Sequence, residues 1–105
     1  MDIVESLQGM LERGQDSALL RFSLASEYIK RGELEVAIEH LRAALTQDPE
    51  YSAAYKLLGN ALVDDDQSDA AKQVYAQGIG VAESRGDKQA AKEMTVFLRR
   101  LNKER

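Results

Sequence analysis

Apolar residues recur three and four positions apart along most of the chain, the spacing that puts them on one side of a helix. Six helices follow from this period and from the residues that interrupt it. The first runs from about Asp2 to Arg13, with Ile3, Leu7, Met10 and Leu11 on one face, and Gly14 ends it. The second runs from about Ser17 to Lys30, with Leu20, Leu24 and Tyr28 in line, and Gly32 breaks it. The third carries Leu34, Ala37, Ile38, Leu41, Ala44 and Leu45 and stops at Asp48-Pro49. Proline cannot continue a helix and disfavours helical backbone just before it. The fourth runs from about Tyr51 to Val63, with Asp64, Asp65 and Asp66 forming a turn. The fifth carries Ala71, Val74, Tyr75 and Ile79 to about Ser84, and Gly86 breaks it. The sixth carries Ala90, Ala91, Met94, Phe97, Leu98 and Leu101.

The pattern also repeats in register. Leu24, Ala25, Tyr28, Ala37, Leu41, Ala44 and Pro49 are followed 34 residues later by Leu58, Gly59, Leu62, Ala71, Tyr75, Gly78 and Glu83. Small residues at Ala25, Gly59, Ala37 and Ala71 let two helices approach closely, and Leu24, Tyr28, Leu41, Leu58, Leu62 and Tyr75 fill the space around them. This period and spacing resemble the tetratricopeptide repeat. The resemblance implies an all-α, TPR-like α-solenoid. Two helix-turn-helix repeats, at about 18–51 and 52–85, stand between capping helices at about 2–13 and 87–103 in a single domain, 1–105. Within each repeat the first helix is helix A and the second helix B. One repeat cannot bury its apolar faces alone, so neighbours stack and the ends need covers. Ile3, Leu7 and Met10 lie 34 residues before Ala37, Leu41 and Ala44, so the first helix reads as helix B of an otherwise missing repeat. The sixth fits helix A poorly, since Lys92 stands where Leu24 and Leu58 do. Two further departures are Arg21 in a place the family gives to a large apolar residue, and Glu83 in place of Pro49, which lengthens the fifth helix. The whole chain also looks like small stand-alone bacterial two-repeat proteins with a Phe-Leu-Arg-Arg-Leu closing helix, a group without an assigned activity.

Charge is unevenly placed in the 105 residues. Residues 1–81 hold 7 basic and 14 acidic side chains, whereas 82–105 hold 7 basic and 4 acidic. An acidic body argues against nucleic acid as the main partner, because that binding neutralises phosphates. Arg99, Arg100, Lys103 and Arg105 read as dipole partners at a helix end. No cysteine is present, which excludes disulfides and thiolate chemistry. The N-terminus lacks the basic and apolar regions of a secretory signal, and no stretch has the length of a membrane span, so the expected setting is cytoplasmic.

The chemistry-bearing residues point away from catalysis, metal and cofactor. Asp64, Asp66 and Ser68 have the alternating oxygens of a calcium loop, but Asp69 stands in place of its glycine and Tyr75 in place of its last glutamate. The turn reads instead as a polar connection whose Asp66 or Ser68 caps the next helix. His40 is the only histidine and is expected at the surface, opposite the Ala37-Leu41-Ala44 face. Gly78 and Gly80 read as close-packing positions rather than a phosphate cradle. An enzyme is not expected.

The resemblance implies binding of a protein or peptide in the concave groove lined by helix A. Leu19, Phe22, Ser26 and Ile29 occupy those positions in the first copy, and Ala53, Lys56, Asn60 and Val63 in the second. An alternative is that the N-terminal helix or another copy covers Leu19 and Phe22. Lys56 and Asn60 match the lysine and asparagine of family members that clamp a peptide's terminal carboxylate, although the first copy has Phe22 and Ser26 there. The leading expectation is an adaptor or scaffold acting as a monomer or weak homodimer. Its rival is a structural protein that assembles through its exposed helical faces.

Overall fold

All six helices form. In the computed structural model, which describes residues 2–104, α1 spans Ile3–Glu12, α2 Ala18–Lys30, α3 Leu34–Gln47, α4 Ser52–Asp64, α5 Ser68–Arg85 and α6 Lys88–Lys103. Sequential helices pack together, and the flattened array measures 42 × 29 × 18 Å. α4 also touches α2 and α6, its counterparts one repeat earlier and one later. This is the tetratricopeptide-like architecture implied by the 34-residue period.

Side-chain caps close three of the starts. Asp2 accepts from the Val4 N–H, Ser17 from Leu20 and Asp87 from Ala90. The α4–α5 turn works differently from expectation. The residue before α5 is Gln67, and neither Asp66 nor Ser68 caps the helix with its side chain. Asp66 instead adopts φ 59°, the left-handed conformation that Gly32 takes at φ 75° one repeat earlier. Aspartate tolerates that region better than most side chains. The Glu33 and Gln67 N–H groups then reach back to the Tyr28 and Leu62 carbonyls, closing the helix ends in the same way.

The small residues of the repeat lie where helices cross. Ala25, Ala37, Ala44 and Ala71 are fully buried beside Leu24, Leu41, Leu58, Leu62 and Tyr75. Gly78 is also a close-packing position, since a Cβ there would come within 2.6 Å of Tyr55 Cβ and Met94 Sδ. Gly80 is not, because it is exposed and a Cβ there would meet nothing.

Both terminal helices differ from expectation. α1 is covered on only part of its apolar face. Val4, Leu7 and Leu11 pack on Leu20, Leu24 and Tyr28 of α2, whereas Ile3 is 54% exposed and Met10 36%. α6 fits helix A better than a constant 34-residue period allows. α5 continues to Arg85, and α6 starts two residues beyond the expected place. Ala90, Ala91 and Met94 therefore take the buried places of Ala54, Tyr55 and Leu58, an offset of 36. Lys92 is displaced from the core positions, which removes the apparent conflict. Met94 and Leu101 enter the main core, and Phe97 and Leu98 pack against it.

Candidate functional site

Helix A residues of the expected groove are arranged from exposed to half-buried. Leu19 is 67% exposed, while Phe22, Ser26, Ile29, Ala53, Lys56, Asn60 and Val63 are half-buried. α1 does not cover Leu19 or Phe22, since it lies on Leu20 and Leu24 instead. Phe22 stacks on Tyr51 with ring centroids 5.0 Å apart, so its face is occupied by the entry to α4.

The two polar groove residues are engaged within the fold. Lys56 Nζ donates to Glu93 Oε1 at 2.9 Å, linking α4 to α6. That hydrogen bond and charge hold the Glu93 carboxyl below its ordinary value. The Tyr75 hydroxyl donates to Asn60 Oδ1. Burial pushes Tyr75 up to about 12, so the hydroxyl keeps its proton. With the Asn60 oxygen occupied, recognition by this residue falls to its amide nitrogen.

α6 supplies the second wall of a cleft that α4 begins. An open volume of about 390 Å³ is lined by Asn60, Val63, Asp64 and Tyr75 on one side and Phe97, Arg100, Leu101 and Glu104 on the other. Tyr75 and Phe97 form its aromatic floor, with centroids 5.7 Å apart. The cleft thus joins an apolar base to an amide, a guanidinium and two carboxylates. Phe97 and Arg100 were not among the residues expected in the groove. The 36-residue offset would instead name Gln89, Lys92, Val96 and Arg99 as the α6 counterparts of Ala53, Lys56, Asn60 and Val63, so no repeat signal in the sequence marks Phe97 and Arg100.

His40 is corrected from a surface residue to a buried one, at 8% exposure. Ala37, His40 and Ala44 are spaced three and four apart, so they share the inner side of α3. Its ring lies parallel to Tyr28 at 5.6 Å. Arg21 Nη1 donates to His40 Nδ1 at 3.2 Å, and Arg21 also grips Asp16 through two contacts of 2.9 Å. Gln47 donates to the same carboxylate at 2.9 Å. Arg21 therefore replaces an apolar packing residue with a polar bridge from α2 to α3.

Burial, then the Arg21 charge, lowers the His40 pKa from its ordinary 6.5, outweighing the opposing pull of Glu39 and Asp16. The Arg21 hydrogen bond holds Asp16 down at about 2. The unfolded chain takes up the imidazole proton first, so His40 opposes folding as pH falls below its unfolded value. Stability is expected to decline as pH drops below about 6.5. The Asp16 contribution persists until pH falls below the ordinary carboxylate range, and is lost as pH approaches 2. Thermal melts across this range check both steps. His40→Asn should flatten the first decline and leave the second.

Known proteins share this architecture. A family model described as TPR repeat matches residues 25–66. A TPR repeat-containing protein of Pseudomonas aeruginosa is 48% identical over 103 residues, 98% of each chain. This chain belongs to the tetratricopeptide repeat family. A solution structure of a Bordetella parapertussis protein is similar at TM-score 0.85 and 45% identity, over 97% of this chain and 89% of that one. A tetratricopeptide repeat domain protein of Salinibacter ruber is similar at TM-score 0.77 and 28% identity, over 83% of this chain and 97% of that one. Tetratricopeptide repeats generally mediate protein–protein interaction. Among the described residues of this repeat protein, no helix is long and apolar enough to cross a membrane.

Proposed function

We propose that the chain is a non-catalytic cytoplasmic adaptor whose concave face takes a peptide or helix of a partner protein. The cleft between α4 and α6 carries this reading, because it combines the Tyr75–Phe97 floor with the polar groups of Asn60 and Arg100. Leu19 extends the same helix A face with exposed apolar surface. Grooves of this kind hold a segment by a few apolar anchors and polar pairs. Because Glu93 already neutralises Lys56, Arg100 is the better-placed cation for an acidic group on the ligand.

The experiment is to capture partners on the immobilised protein, then titrate the captured segment against variants. Leu19→Asp and Arg100→Glu should each weaken binding by about tenfold or more, a loss of about 1.4 kcal/mol. Gln73→Ala, on an exposed part of α5, should bind as the parent does. If both groove variants keep parental affinity, the concave face is not the site. A second reading, assembly through exposed helical faces, is favoured by the uncovered Ile3 and Met10.

A further inference from the structure

Each end of the solenoid presents half of a repeat. α1 has the register of helix B, and although α2 partly covers Leu7, the rest of its inner seam, Ile3 and Met10, stays open among the described residues. Ile3, Leu7 and Met10 occupy the positions that Ala37, Leu41 and Ala44 fill in α3, and that Ala71, Tyr75 and Gly78 fill in α5. The α3 and α5 seams are buried, whereas Ile3 and Met10 stand exposed. α6 has the register of helix A, and among the described residues no helix B lies against its outer side. An open groove of about 610 Å³ there is lined by Ala91, Thr95 and Val96 together with three cations, Lys88, Lys92 and Arg99, against one carboxylate, Glu83.

The two ends are complementary in size. Inside the protein, bulky Tyr55 faces Gly78, and Tyr75 covers Gly59 so closely that a Cβ there would lie 2.2 Å from its ring. At the ends these sizes are exchanged. By the 36-residue offset, Ala91 and Thr95 stand in the places of Tyr55 and Gly59. By the 34-residue period, Met10 and Leu7 stand in the places of Gly78 and Tyr75. Met10 would thus meet Ala91 where Gly78 meets Tyr55, and Leu7 would meet Thr95 where Tyr75 meets Gly59. The large side chain moves to the other partner while the pair still fills the space, as a packed helix seam requires.

Charge points the same way. The groove belongs to the basic segment, with 7 basic and 4 acidic residues in 82–105, and the rest of the chain is acidic. Opposite fields favour meeting of unlike ends over like ends. The α1–α2 contact also has the order of α3–α4, helix B followed by the next helix A, so a copy seated on α6 would continue the same superhelix.

We propose that copies of this chain join head to tail, with α1 of one copy entering the outer α6 groove of the next to complete a repeat between them. This deepens the assembly reading above and rests on it. The contact is heterologous, so each added copy leaves a free seat and the array grows rather than closes.

The absence of cysteine allows a direct test. Met10→Cys and Ala91→Cys proteins, mixed under mild oxidation, should give mainly the mixed 10–91 disulfide. Sedimentation of the parent should show average mass rising with concentration and falling back as salt is added. Met10→Glu and Lys92→Glu, both at exposed positions, should each abolish growth alone, yet form a one-to-one dimer when mixed, because each keeps one intact end. Melting curves confirm that both remain folded. Predominant 10–10 disulfide would overturn the composite repeat while leaving self-association standing. A parent that stays monomeric at every concentration would overturn both, without touching the proposed concave site.

Discussion

Gly59→Ala is expected to lower the melting temperature by about 5–15 °C, while Gly80→Ala raises it by about 4 °C. Both glycines lie inside helices, and alanine stabilises a helix interior by about 1 kcal/mol relative to glycine. The surroundings reverse the sign at Gly59. Its Cβ would fall 2.2 Å from Tyr75 Cε1 and 2.7 Å from Cζ. The ring cannot retreat freely, because Tyr75 is 2% exposed and its hydroxyl is held by Asn60. Forcing a methyl group into such a place costs about 1–3 kcal/mol through displaced side chains and backbone. At Gly80 nothing lies within 4 Å, so the helix gain stands alone. Equal and small effects in thermal melts would mean that Tyr75 does not pack on α4 as described.

The middle of the molecule was legible because its period is self-checking. Leu24 and Leu58, Ala37 and Ala71, Leu41 and Tyr75 each had a counterpart against which their burial could be read, and all six are buried. The ends had no such check. Which face of α1 is covered depends on a tertiary neighbour, and the pattern alone does not separate Val4 and Leu11, which pack on α2, from Ile3 and Met10, which stand exposed. α6 was obscured by a length change elsewhere. The four extra residues of α5, 18 against 14 in α3, moved the register by two once the shorter connection was counted. His40 was misplaced to the surface although its spacing to Ala37 and Ala44 puts it on their face, because a polar residue on an inner face is credible only with a partner. Arg21 provides it from another helix. In the groove the chemistry of Lys56 and Asn60 was readable and their occupation was not, since Glu93 and Tyr75 reach them across the fold.

Removing α6 is expected to abolish cooperative folding. Met94, Phe97 and Leu101 bury large apolar side chains against the rest of the protein, each contributing about 1.5–3 kcal/mol when fully covered. Their sum approaches the whole stability of a small domain, about 5–15 kcal/mol. The loss is not confined to α6. Gly78 and the Tyr75 ring would face water where Met94 and Phe97 now cover them, opening a flat apolar seam along α5. Ser52 and Lys56 on α4 would also lose Asp87 and Glu93, which tie the two helix A elements together. A chain ending at Gly86 should therefore show reduced helical signal, no sharp melting transition and aggregation on sedimentation. Adding Met94→Asp to the full-length chain should reproduce much of the loss, because it buries an unpaired carboxylate at the same seam. If the shortened chain instead stays soluble and melts at the parental temperature, α5 needs no cover, and α6 would be free to leave it for a partner. The contacts that α6 makes with Tyr75, Gly78 and Lys56 argue for the first outcome.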